Sequence, residues 1–205
     1  MTDRGELSGT DTRSLDADLP LIRAIADGDE EALATFVRRH ERRIRGVCRG
    51  MLGDREESRD AAQEVFLKVW KKAHRFRPRG KVSTWLYRVT VNHCLNRLRR
   101  RKIVTMLPFP GQDDEGEATW EPKDRSPGVD RALESRERWR RTCRALDGLP
   151  DTQRAVVVLV RFEGLSYRET AEALGITLGA VESRLFRAMR NLEKACGTSA
   201  ETETR

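Results

Sequence analysis

Cysteine is scarce in this chain of 205 residues and never paired in sequence: Cys48, Cys94, Cys143 and Cys196 stand far apart. No CxxC occurs and no histidine or cysteine lies at metal-ligand spacing from them, which argues against a zinc site and against a disulfide framework. Also missing is any apolar run long enough to span a bilayer. The first twenty residues carry Asp3, Glu6, Asp11, Asp16 and Asp18 where a signal peptide would be apolar. A reduced, cytoplasmic protein without membrane insertion is expected. Strand-length alternation and internal repeats are absent, so a sheet is improbable. No catalytic cluster is legible, which counts against a nuclease or other enzyme, and no metal or cofactor is expected.

What the chain does have is charge. Lys and Arg number 40 against 33 Asp and Glu, a net charge of +7 with 36% charged residues, beside 38% hydrophobic residues that permit real cores. That balance suits a polyanionic partner, but a solvated surface would look the same, so the placement of the charges must decide.

Residues 1–18 are small, polar and acidic, the composition of a disordered terminus. Helical periodicity fills 19–102. Asp29 is a good N-cap with Glu30 and Glu31 behind it, Gly53 and Asp54 mark a break, and Phe76 to Gly80 reads as a loop before a helix over about Ser83 to Arg101. Between 103 and 130 lie Pro108, Pro110, Gly111, Gly116, Pro122, Pro127 and Gly128, with an acidic stretch from Asp113 to Asp124 around Trp120. Periodicity returns over 131–194, and 195–205 reads as a disordered tail. The expected fold is all-α: two small helical bundles joined by a flexible linker, the C-terminal one containing a helix-turn-helix.

Three helix faces do not look like core. In residues 60–70, Ala62, Val65 and Phe66 share the buried stripe with Val69 and Ala73, while Leu67 falls opposite among Asp60, Gln63, Glu64 and Lys71. An exposed leucine is often without meaning; ringed by acidic and amide groups it fits a docking face for a basic helical partner. Paired metal-binding carboxylates at Asp60 and Glu64 are the weaker reading, because no second ligand pair is legible. In residues 83–102, Tyr87, Val91, Cys94, Leu95 and Leu98 form the buried stripe. Trp85, Val89, Asn92, Asn96, Arg99 and Arg100 face the other way, with Arg88 at the border. Aromatic, amide and guanidinium groups on one face are the chemistry of single-strand recognition, although Trp85 packed on the loop from Phe76 to Val82 would also account for its position.

The third face lies near the C-terminus. Ser166 to Glu169 is a capping box, Gly175 stops the short helix it opens, and Thr177 caps the next, which makes a helix-turn-helix. On its second helix Val181, Leu185, Ala188 and Leu192 are the expected buried stripe. Glu182, Ser183, Phe186, Arg187 and Arg190 point outward where a recognition helix would enter a major groove.

In this order the stretches DAAQEVFLKVW, STWLYRVTVNHCLNRLRR and LDGLPDTQRAVVVLVRFEGLSYRETAEALGITLGAVESRLFRAMRNL resemble the extracytoplasmic-function sigma factors, from about residue 19 to 194. The resemblance implies core RNA polymerase and promoter DNA as partners, and an anti-sigma factor as a partner common in the family. Asp60, Gln63, Glu64 and Leu67 would grip polymerase. Phe76, Trp85, Arg88, Asn92, Asn96, Arg99 and Arg100 would melt and read the minus-ten element. Glu182, Ser183, Arg184, Phe186, Arg187 and Arg190 would meet the minus-thirty-five duplex. Glu182 departs from the family, which commonly carries Lys or Arg there. The linker would either thread the polymerase cleft or act as a solvated tether. A free-standing helix-turn-helix regulator is the alternative, and it leaves the Leu67 and Trp85 faces without purpose.

Overall fold

The computed structural model describes residues 16–77, 80–106, 142 and 144–202, and every regular element among them is helical. The N-terminal bundle consists of α1 (Leu19–Ala26), α2 (Glu30–Leu52), α3 (Arg55–Lys72), a 3-10 turn (Ala73–Arg75) and α4 (Val82–Met106). In the C-terminal bundle, α5 (Asp151–Val157) runs on as a π-helical turn (Val158–Phe162) and is followed by α6 (Tyr167–Leu174) and α7 (Leu178–Thr202). No described helix is long and apolar enough to cross a membrane.

The helix ends follow the sequence. Asp29 accepts from the Ala32 N–H at 2.9 Å and Asp54 from the Glu57 N–H at 2.7 Å, each satisfying a donor that the first turn leaves open. Between them Gly53 ends α2 at φ 79°, a left-handed angle that costs a side-chain-bearing residue more than glycine. Behind these caps Phe36, Ile44, Val47 and Met51 of α2 meet Val65 and Val69 of α3 and Leu86 and Val91 of α4 in a dry core. A smaller apolar set, Leu146, Leu149, Val156 to Leu159, Ala173, Val181, Leu185 and Ala188, fills the C-terminal bundle.

Three boundaries differ from expectation. The loose terminus does not reach residue 18: the Asp16 carboxylate accepts from the Val82 N–H, and Asp18 pairs with Arg39 and faces His40 at 2.8 Å. Local composition hides this because Asp16 caps a helix far away in sequence; Lys81, which precedes α4, offers no acceptor side chain, and an anion there also suits the helix dipole. α4 continues past 102 to Met106, and α7 continues past 194 to Thr202 where a disordered tail was expected. Residues 1–15, most of the linker and the start of the C-terminal segment, 107–141 with 143, lie outside the described residues, as do the expectations that fall on them.

The bundles are also in contact with each other. Val158 of the π-helical turn packs on α2 at Gly50, and Arg154 donates to the Met51 carbonyl at 2.8 Å while pairing with Asp147 at 3.0 Å. Tyr87 donates its hydroxyl to Glu163 at 3.0 Å, and Lys81 pairs with Glu169 at 2.8 Å. One buried cluster therefore runs through both bundles.

Candidate nucleic-acid interface

On α3 the helical period separates the two kinds of side chain as expected. Ala62, Val65, Phe66, Val69 and, just beyond, Ala73 are buried, while Asp60, Gln63, Glu64 and Leu67 are exposed, Leu67 at 58%. Glu64 is not idle. It accepts from Arg97 at 2.6 Å and stands 3.3 Å from the His93 ring without the alignment of a hydrogen bond. Desolvation raises the pKa of its carboxyl, but the hydrogen bond and charge of Arg97 outweigh that and hold it below the ordinary range. Lys68 approaches the other nitrogen of His93. Burial, reinforced by the Lys68 charge, pushes the His93 imidazole down to about 4, so at neutral pH it is an uncharged acceptor for Lys68. This polar network joins α3 to α4 and was not anticipated, because a histidine within an apolar stripe carries no pattern of its own.

α4 carries Asn92, Asn96, Arg99 and Arg100 exposed on one side, with Arg99 reaching Asn96 at 3.4 Å. Trp85 is half-buried, its ring 5.4 Å from that of Phe76 at 68°, an edge-to-face pair that seats the tryptophan on the preceding loop. Packing on that loop thus accounts for the position of Trp85, whose ring is left partly exposed. Of the expected buried stripe, Tyr87, Val91, Cys94 and Leu98 are inside and Leu95 is only partly so; Leu86, Thr90 and His93 join them. Arg88 is exposed but donates to the Glu172 carbonyl in α6.

In the C-terminal bundle the Ser166 and Glu169 capping box is complete and Gly175 closes α6 in the left-handed region at φ 65°. Thr177 Oγ1 accepts from the Ala180 N–H at 3.2 Å, opening α7. Val181, Leu185 and Ala188 are buried, and Leu192 is half-buried. Phe186 is 64% exposed, with the Arg190 guanidinium 5.9 Å from its ring centre. Arg187 folds back on Ser183, 2.6 Å from its Oγ, and Glu182 is exposed beside them. Arg184, counted with the outward set, is only partly exposed because it lies next to the buried Val181 and Leu185. A ring and three cations on an open helix after a glycine turn can enter a groove and hold phosphates.

Sequence reasoning missed the residues that join the bundles. Tyr87, expected as core of its own bundle, has its hydroxyl on Glu163; burial and the Glu163 charge push the phenol up, and burial pushes the Glu163 carboxyl up as well. Hydrogen bonds from Lys81 and Ser166 hold Glu169 down at about 2. The signal that was available is Gly46 and Gly50, four residues apart inside a helix, where glycine is costly unless another backbone comes close.

Comparison with known proteins agrees with this geometry. Residues 36–103 match Sigma-70 region 2, and residues 143–192 match Sigma-70, region 4. The ECF RNA polymerase sigma factor SigM of Mycobacterium tuberculosis is 35% identical over 181 residues, covering 88% of this chain and 85% of its own. SigW of Bacillus subtilis, also named an ECF RNA polymerase sigma factor, is 33% identical over 175 residues, covering 84% and 93%. Among solved structures, CnrH in complex with the cytosolic domain of CnrY is similar in fold, with TM-score 0.65, 23% identity, and coverage of 89% of this chain and 99% of that one. The chain belongs to the extracytoplasmic-function family of RNA polymerase sigma factors.

Proposed function

We propose that this sigma factor docks on core RNA polymerase through Asp60, Gln63, Glu64 and Leu67 of α3. It then opens and reads the minus-ten element with Phe76, Trp85, Arg88, Asn92, Asn96, Arg99 and Arg100. The minus-thirty-five duplex is bound by Glu182, Ser183, Arg184, Phe186, Arg187 and Arg190. The observation that carries the reading is Leu67: a large apolar side chain 58% exposed at the centre of an acidic and amide ring has no work to do in the fold. It suits a basic helical partner, and a free-standing regulator would have no use for it. Unstacking a base costs a few kcal/mol, which aromatic stacking and phosphate contacts along α4 would offset. Its place of work is the cytoplasm, and polymerase performs the chemistry.

The test is reconstituted run-off transcription with core polymerase. Leu67→Arg is expected to abolish co-purification with core and run-off product while leaving duplex binding by α7 unchanged. Transcription that survives Leu67→Arg, or a wild-type chain that never joins core, would overturn the reading. At Glu182 a carboxylate can accept from a cytosine amine but cannot take a phosphate. Binding-site selection with Glu182→Arg is expected to shift the minus-thirty-five preference, and an unchanged preference would count against a reading role. RpoE of Bartonella quintana was solved in complex with the anti-sigma factor NepR, and a partner of that class is proposed for this chain too.

A further inference from the structure

Between the docking face of α3 and the cation row of α4 lies an ionic seam that neither face accounts for by itself. Glu57 and Glu64 share one side of α3, because seven residues return nearly to the same angle on a helix. Arg97 of α4 sits between them. Its guanidinium donates to Glu64 at 2.6 Å and to the Glu57 carbonyl at 3.4 Å, and it stands 3.9 Å from the Glu57 carboxylate. Arg101 reaches the same Glu57 carboxylate at 3.4 Å. Glu64 therefore has two roles that compete: it belongs to the acidic and amide ring around Leu67, and it is the counter-ion of Arg97.

Arg97 is placed just as ambiguously. It follows Asn96 and precedes Arg100 by three residues, at the border between the side of α4 turned to α3 and the exposed side that carries Asn92, Asn96, Arg99 and Arg100. Residues three apart on a helix are surface neighbours, so Arg97 and Arg100 can serve one strand. The Arg97 side chain is 24% exposed and that of Glu64 47%, and an ion pair so open to water is weak. Either partner can be exchanged at small cost. Glu64 keeps a second donor within reach when Arg97 leaves. Lys68 occupies Nδ1 of the uncharged His93 ring, which puts the ring proton on Nε2, a buried nitrogen without a hydrogen-bond partner, 3.3 Å from the other Glu64 oxygen.

We propose that Arg97 is a shared cation that couples the two faces. In the free chain it neutralises Glu64; when a basic side chain of polymerase takes that carboxylate, Arg97 turns to a backbone phosphate of the minus-ten strand beside Arg100. The inference rests on the assignment of Glu64 to docking and of α4 to the minus-ten element, and it adds to the site a residue that carries the link between them. Coupling between two binding events is reciprocal, so a strand that captures Arg97 uncovers Glu64 and strengthens docking by the same factor. One more cation on a single-stranded phosphate track adds about 0.7 to the slope of log affinity against log salt, roughly three- to tenfold in affinity near 0.1 M salt.

The test uses the full chain without polymerase and a labelled single-stranded oligothymidine, since a phosphate contact does not depend on the base. By fluorescence anisotropy, Glu64→Gln is expected to bind about three- to tenfold more tightly than wild type, with a salt slope steeper by about 0.7. Asp60→Asn removes the same charge one turn earlier on α3 and should gain little; an equal gain would assign the effect to net charge and overturn the proposal. Adding Arg97→Gln to Glu64→Gln should abolish the gain, and adding Arg97→Lys, which keeps a cation for phosphate, should preserve it. A gain that persists without a cation at this position would also overturn it. Against core polymerase, Arg97→Gln should bind at least as tightly as wild type, because Glu64 is uncovered; a loss there would make Arg97 a prop for Glu64 and not a shared cation. Where Arg97→Gln melts early, the Glu64→Gln, Asp60→Asn and Arg97→Lys chains still decide. A wild type that never joins core sinks the functional reading, whereas one that joins core while the variants fail these expectations sinks the coupling alone.

Discussion

The two bundles place their buried polar groups differently. The N-terminal one keeps Asp18, His40, Ser58, Thr84, Thr90 and His93 within itself, with Asp18 meeting Arg39 and His40 and Thr90 donating to the Leu86 carbonyl at 2.8 Å, and sends only the Tyr87 hydroxyl across, to Glu163. The C-terminal one buries Arg154 and Thr170 among the described residues, and Arg154 finds its carbonyl in the other bundle. Its Val158 likewise packs on a foreign glycine. A domain of this size buries too little of its own surface to be robust, so borrowing a wall is the physical expectation. The smaller bundle therefore owes part of its packing and one of its buried polar contacts to the larger one.

That comparison breaks most visibly at Phe36, which is fully buried against Phe66 at 6.5 Å and against His40. Phe36→Ala is expected to cost about 3–5 kcal/mol. In urea melts followed by circular dichroism, the C-terminal helices should lose stability along with the damaged bundle, because their wall goes with it. A C-terminal transition that keeps its wild-type midpoint would show that the smaller bundle stands alone. Next in size is the acid response of His93, which faces Lys68, Glu64, Arg97 and Arg100. The folded ring resists protonation down to about 4 whereas the unfolded one takes a proton near 6.5. Between those values the unfolded chain binds more protons, so stability is complete above 6.5 and declines as pH falls through the window, by roughly 1–3 kcal/mol. Urea midpoints at pH 7 and pH 4.5 measure it, and His93→Gln should flatten the slope. An unchanged slope in the variant would assign the acid response elsewhere.

Smaller still is the capping box. Ser166→Ala removes the acceptor for the Glu169 N–H and is expected to cost about 1 kcal/mol. The loss should be confined to the C-terminal bundle in hydrogen exchange, with α2 and α3 amides unaffected. If their protection falls by the same amount, the two bundles unfold as one unit and the contrast drawn between them is too sharp.

How much of this was legible depended on the range over which each signal acts. Caps at Asp29 and Ser166, the break at Gly53 and Asp54, the stop at Gly175 and the outward positions of Leu67 and Phe186 are set within one or two helical turns, and the chain shows them directly. Asp16 capping α4, Lys68 on His93 and Tyr87 on Glu163 join residues far apart in sequence, where neither period nor composition reports the pairing. Cys48 and Cys94 illustrate the same limit. Scattered in sequence, they come within 3.8 Å in the buried core, with the Cys94 thiol pushed up by its hydrogen bond to Cys48 and by burial. The mid-helix glycines fall between the two cases: their spacing was visible, but what approaches them was not.

The least perturbing substitution gives the cleanest separation of stability from function. Phe186 is 64% exposed and touches its own bundle little beyond the Arg190 guanidinium, so Phe186→Ala should change stability by less than about 0.5 kcal/mol. A ring that spends nothing on the fold is free for the groove. Its loss should therefore weaken minus-thirty-five duplex binding by roughly five- to a hundredfold, the range of a good base contact, and leave Arg190 without a surface to lie on. Fluorescence anisotropy with duplex at fixed salt measures the affinity and a thermal melt measures the stability. Salt must be held constant because the arginines of α7 contribute a term that falls with ionic strength whatever the sequence. If Phe186→Ala lowers the melting temperature as much as Ser166→Ala does, the ring belongs to the bundle and the outward face of α7 shrinks to its charges.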